Sequence, residues 1–297
     1  VDGFTIDPVK PPLRSPIVIL AFTGWSDTGT VTTDLADHLV ATFGGNRFLQ
    51  VDPEEYYVFT ETRPTVSIDE SGIRHLHWPE NHGYAVSTGR GDHDLVVIRG
   101  AEPNLRWRTF ANRLAEAIVP LRPYLVCTLV ARPAATPHTR PVPVTGSSAD
   151  VRLAARYGLG RSLYQGPTGI LGVIHDVLRS HQLDLISLAA GVPHYLSIEG
   201  NPPATLALLR ALEPVLGFPL PEGDLEEQAA AFVERVNEAS RGDDQVGTYV
   251  RTLEAQYEED DEDDEGTSTD EPRTSDLPSA DDILKDVEDF LRGTGDR

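Results

Sequence analysis

Four short segments hold the residue types that proton transfer or anion binding would use. Trp25 and Asp27 stand in the first, Glu102, Arg106 and Trp107 in the second, His138 and Arg140 in the third, His194 and Tyr195 in the fourth. Imidazoles can shuttle protons near neutral pH. Guanidinium groups can fork onto a carboxylate or phosphate, with aromatic faces beside them. Together these residues would line a crevice for a small anionic substrate. They also have a purely architectural use. Arg106 and Arg140 can pair with Glu102 and Asp27, and rings can stack on the guanidinium groups. Trp25 can pack over a sheet end, and Asp27 can cap a helix. The residues alone leave both readings open.

Each segment follows an apolar run of strand character. Residues 17–22 are continuously apolar, as in a strand buried on both faces, and residues 23–27 break the run. Val31, Leu35, Leu39 and Phe43 then repeat at helical spacing. Residues 95–98, 125–130 and 185–190 predict three more buried strands, ahead of the other three segments. Helical stripes occur at Phe110, Leu114, Ile118 and Leu121, at Ile170, Val173, Ile174, Val177 and Leu178, and at Leu206, Leu209 and Leu212. Alternating strands and helices predict a three-layer α/β/α sandwich. If its sheet is largely parallel, the four segments share the edge where ligands usually sit. Residues 48–51 predict another strand, 56–59 and 65–68 strand or edge material, and 73–77 a hairpin partner. Residues 131–149 read as a long proline-rich connection, and 150–157 as a short helix.

The domain reading follows from composition. Residues 1–14 form a proline-rich arm. Residues 15–257 form the α/β domain, closed by two amphipathic helices at 225–239 and 246–257. Residues 258–278 predict a disordered acidic linker, opened by eight consecutive acidic residues that repel one another. Residues 279–297 predict a short amphipathic helix and tail, with Ile283, Leu284, Val287, Phe290 and Leu291 on the apolar side. The tail from residue 258 holds seventeen Asp/Glu and four Lys/Arg, which leaves −9 of the net −22 on the first 257 residues. An acidic body argues against binding nucleic acid or an anionic membrane surface. Neither an 18-residue apolar run nor a signal-peptide pattern is seen. The single cysteine, Cys127, lies in an apolar run, so no disulfide forms within the chain, as suits a reducing cytoplasm.

Nucleotide-binding glycine loops, the Gly-x-Ser-x-Gly turn and His-Glu-x-x-His are all missing. His75 and His77 alternate along a strand but lack the further ligands that a metal needs.

The motifs Gly-Trp-x-Asp at 24–27, Gly-x-Glu-Pro-Asn-x-Arg-Trp at 100–107, Pro-His-Thr-Arg-Pro at 137–141, and Val-Pro-His-Tyr-Leu with Asn-Pro-Pro-Ala-Thr at 192–205 are similar to those of a known family. Over about residues 15–240 the sequence resembles the proteasome assembly chaperone 2 family, in its actinobacterial branch. The resemblance implies a phosphorylase/hydrolase-like α/β/α sandwich without established catalysis, and no metal or cofactor is expected. It implies homo-oligomers, with a trimer as the expectation. Eukaryotic members help assemble proteasome α-rings, and members that touch proteasomes often end in hydrophobic–Tyr–any. This sequence ends Gly295-Asp296-Arg297, without that tripeptide. The expected function is therefore a non-enzymatic, chaperone-like or protein-interaction role. Its expected partners are other copies of itself and proteasome subunits or another protein with a basic surface. The rival is a hydrolase- or phosphorylase-like enzyme acting on a small anionic substrate at the sheet end.

Overall fold

A computed structural model describes residues 3–162, 164–196, 198–241 and 244–263. Its strands are β1 (Phe4–Ile6), β2 (Ile17–Thr23), β3 (Asn46–Val51), β4 (Thr65–Ile68), β5 (Arg74–His77), β6 (Asn81–Val86), β7 (Leu95–Ala101), β8 (Leu125–Ala134), β9 (Val144–Ser147) and β10 (Leu185–Pro193). Its α-helices are α1 (Val31–Phe43), α2 (Trp107–Ile118), α3 (Val151–Tyr157), α4 (Ile170–Ser180), α5 (Pro202–Leu216), α6 (Leu225–Arg241) and α7 (Asp244–Asp263). Eight strands form one sheet in the order β1-β3-β6-β7-β2-β8-β10-β9, while β4 and β5 pair apart from it.

The centre of the sheet is parallel, from β7 through β2 and β8 to β10. The flanking strands are antiparallel. Strand β2 shows why its sequence is unbroken: Ile17, Ile19 and Ala21 enter the layer of α1 and α5, whereas Val18, Leu20 and Phe22 enter the layer of α2 and α4. A strand covered on both faces has no polar side to alternate with. Each large side chain buried this way contributes roughly 1.5–3 kcal/mol. The three-layer sandwich expected from the sequence is thus present. A third, smaller cluster lies at the sheet end, where Phe232 and Val236 of α6 and Val246, Tyr249, Val250 and Leu253 of α7 close over Tyr195 and Leu196.

Several expectations are corrected. The sheet is mixed rather than largely parallel. Part of the amino-terminal arm is β1, which pairs with β3 and sets Phe4 edge-on against Tyr56 and Phe110 at 5.6 and 5.5 Å. Residues 56–59 are not a strand. They follow a tight turn, Pro53–Glu55, and their aromatic rings serve burial, with Tyr56 and Tyr57 in the core. Strand β6 went unpredicted because polar and small residues, Asn81, His82 and Gly83, hide its period. A side chain at Gly100 on neighbouring β7 would collide with Asn81, so that pair of strands depends on the glycine. The connection 131–149 is more regular than expected, since β8 runs on to Ala134 and β9 pairs with β10. Helix α7 continues to Asp263, six residues into the acidic run expected to be unfolded. Its buried stripe supplies the nucleus, and each further residue then costs little to add. Residues 264–297, including the helix expected within 279–297, lie outside the described residues.

Candidate functional site

The four segments do end at neighbouring strands, β2, β7, β8 and β10. They form two groups, turned toward opposite layers of the sandwich, rather than one crevice. The first group centres on Glu102. Its carboxylate accepts from the backbone N–H of Trp25 at 3.2 Å and of Ile170 at 2.6 Å. Ile170 opens α4, so the charge sits on a helix N-terminus, where free amides and the dipole favour it. A Cβ on Gly169 would stand 2.7 Å from Glu102 Oε1, so a side chain there would displace the carboxylate. The Trp25 side chain is 70% exposed and is therefore not the packed lid that an architectural reading expected.

Asp27 is buried and does cap a helix. Its Oδ1 accepts from the Thr32 amide at 2.6 Å, and its Oδ2 accepts from the Thr33 hydroxyl at 2.7 Å and amide at 3.3 Å. Burial pushes its carboxyl above the ordinary range, while these bonds pull the other way. Neither arginine pairs as proposed from the sequence. Arg106, whose backbone is left-handed at φ +57° just before α2, reaches Glu55. Arg140 reaches Glu254 and Glu258 on α7. Trp107 donates its indole N–H back to the Pro103 carbonyl.

The second group lies under α6 and α7. The His138 amide donates to the Tyr195 hydroxyl oxygen at 2.8 Å. That hydroxyl, 2.8 Å from His138 Nδ1, donates its own proton there. Nε2 therefore carries the ring proton and donates to Asn237 Oδ1 at 3.1 Å. Burial holds His138 below the usual imidazole range, which agrees with this neutral form. His194 is held the other way round. Its Nδ1–H donates to the Ala134 carbonyl at 3.0 Å, and Nε2 accepts from the Tyr249 hydroxyl at 2.7 Å. Both imidazoles thus have both ring nitrogens engaged, and neither stands free as a general base. The four rings of His138, His194, Tyr195 and Tyr249 pack edge to face.

Asn237 and Tyr249 were not anticipated. Tyr249 was legible in principle, since it shares a helical stripe with Val246, Val250 and Leu253. Asn237 gives no sequence signal, because its partner is 99 residues away. Of the other histidines considered, His75 bonds Asp69 and His77 bonds Ser67. Among the described residues no group of three or more potential ligands could hold a metal. Cys127 is buried in the core, and burial pushes its thiol far up. Among the described residues no helix is long and apolar enough to cross a membrane.

Comparison with known proteins adds to this geometry. Residues 21–240 match the PAC2 family. A PAC2 family protein from Streptomyces avermitilis is 40% identical, with a TM-score of 0.71 over 79% of this chain and 99% of that one. A proteasome-assembly chaperone homologue from Mycobacterium tuberculosis is 38% identical, with a TM-score of 0.70 and the same coverage of 79% and 99%. An archaeal proteasome activator from Pyrococcus furiosus shares the fold alone, at 17% identity and a TM-score of 0.63 over 81% of this chain and all of that one. No curated protein matches the chain.

Proposed function

The chain belongs to the PAC2 family, and from that premise we propose that it is a non-enzymatic, chaperone-like protein of the cytoplasm that self-associates and binds a proteasome-related partner. One observation carries this reading. At the sheet end the ionisable groups are paired inward, while apolar surface is turned outward. His138, His194, Asp27 and Glu102 all have internal partners. An enzyme of the hydrolase or phosphorylase type would need at least one of them free and facing a substrate.

The outward apolar surface lies in two places, Trp25 and the β4–β5 hairpin. In the hairpin Val66 stands opposite Leu76, and Ile68 opposite Arg74. Val66, Ile68 and Leu76 share one face and are 44%, 70% and 51% exposed. The other face is polar and self-bonded through Ser67 with His77 and Asp69 with His75. A two-stranded sheet with a bare apolar face is marginal in water unless something covers it. A second copy of the same hairpin offers a matching face. Exposed Trp25 supplies the aromatic anchor that partner surfaces favour.

The test uses the full chain and a Val66→Ser, Leu76→Ser variant in sedimentation velocity, with and without purified proteasome α-subunits. The wild-type chain is expected to be oligomeric and the double variant smaller at the same concentration, with unchanged thermal midpoint. Trp25→Ala is expected to weaken α-subunit binding while leaving oligomer size alone. A monomeric wild type, or α-subunit binding indifferent to both sites, overturns the reading.

A further inference from the structure

The sheet face against α4 is apolar at Val126, Val130 and Leu185, yet between them it carries Thr128 and Ser187. Thr128 is buried, and its hydroxyl lies 2.9 Å from Ser187 Oγ and 3.1 Å from His175 Nε2. This string of hydroxyls and imidazole interrupts an otherwise apolar layer and satisfies its own hydrogen bonds there. Beside it, a cavity of about 210 Å³ opens, lined by His175, Arg179, Ser187, Ser148, Ser162 and Arg161. Among the described residues no carboxylate lines it, in a chain whose net charge is −22. Arg161 has no ion pair among the described residues, and Arg179 is held only by a neighbour on its own helix, Asp176, at 2.6 Å.

From this geometry we infer that the cavity between α4 and the β9–β10 edge is a binding site for a small tetrahedral oxyanion, phosphate or the phosphoryl end of a small phosphomonoester. The hydrogen bonds can run in one direction that suits it. His175 Nε2–H donates to Thr128, Thr128 donates to Ser187 Oγ, and the Ser187 hydroxyl proton is left for the cavity. Ser162 Oγ accepts from the Tyr164 amide at 3.4 Å, which also leaves its proton to donate. With two guanidinium groups the site presents donors and positive charge without an acceptor charge, the pattern that recognises phosphate. Its volume is below that of pockets that enclose drug-sized ligands, which fits an ion or a single phosphoryl group rather than a nucleotide. Burial and the Arg179 charge also hold His175 down at about 4, so an arriving dianion would find the imidazole neutral and draw it upward.

The experiment is calorimetric titration of the full chain with inorganic phosphate in chloride buffer, paired with NMR titration of the His175 ring. Phosphate is expected to bind and to raise the pH at which the His175 ring titrates. Arg161→Gln is exposed and unpaired, so it is expected to keep the thermal midpoint and weaken phosphate about tenfold, the value of one charged hydrogen bond. Ser187→Ala is expected to weaken it in the same sense. Parallel titration with O-phosphoserine separates the sources: tighter binding than phosphate assigns a phosphomonoester, weaker binding assigns the free ion. No heat and an unmoved imidazole, or binding indifferent to Arg161→Gln and Ser187→Ala, overturns the inference.

Discussion

At the scale of single residues, Glu102 joins three elements through one carboxylate. It faces the amides of the β2–α1 loop and of α4 at once. Glu102→Ala removes both acceptors and leaves a helix start uncapped, and is expected to cost about 1–3 kcal/mol in urea unfolding. Glu102→Gln keeps one carbonyl acceptor and is expected to cost less. His175 makes stability depend on pH. Its folded titration lies at about 4 against an ordinary 6.5, so below 6.5 the unfolded chain binds the extra proton first. Stability from this group is complete above pH 6.5 and is lost as pH falls toward 4, by up to about 3 kcal/mol. Comparing unfolding of the wild type and His175→Gln at pH 7 and pH 5 checks this, with a smaller pH difference expected in the variant. Asp27, shifted upward, has the opposite sign and is present in both chains, so it drops out of the comparison. The candidate residues were legible as types, because imidazole, guanidinium and carboxylate are conspicuous after an apolar strand. Their partners were not. Glu102 meets Ile170 across 68 residues, and no local spacing carries that distance.

Among the elements, the α6–α7 pair decides the fate of the second group. Tyr195→Phe removes the hydroxyl that both accepts from and donates to His138, and is expected to cost about 1–3 kcal/mol by leaving buried polar atoms unpaired. Two truncations separate what α7 contributes. Ending the chain after Tyr257 removes the exposed Arg140–Glu258 pair, which at a surface is worth about 0–1 kcal/mol, so the melting temperature should barely move. Ending it after Arg241 strips Val246, Tyr249, Val250 and Leu253 from Tyr195 and should lower the melting temperature by many degrees. Differential scanning calorimetry distinguishes the two. The legible elements were those with a single job. Strands β2, β7 and β8 are apolar because both faces are covered, and α2 and α4 show one stripe because one face is covered. Strand β6 has Asn81 reaching Tyr57 and Gly83 clearing Leu49 and Phe48, and those local duties erased its pattern.

For the whole molecule, the layer order followed from the alternation of strand and helix, but the strand order did not. Strand β2, first of the parallel set in the chain, sits at the centre, between β7 and β8. Its partners at 95–101 and 125–134 are made long after it. On the ribosome, at about 5–20 residues per second, this apolar strand would wait some seconds with both edges bare and the face toward α2 and α4 uncovered. Sheets built from such distant pairings also fold slowly once complete. The chain would thus be a client of chaperones during its own synthesis, and its yield in a chaperone-depleted translation extract should fall more steeply than its equilibrium stability would suggest.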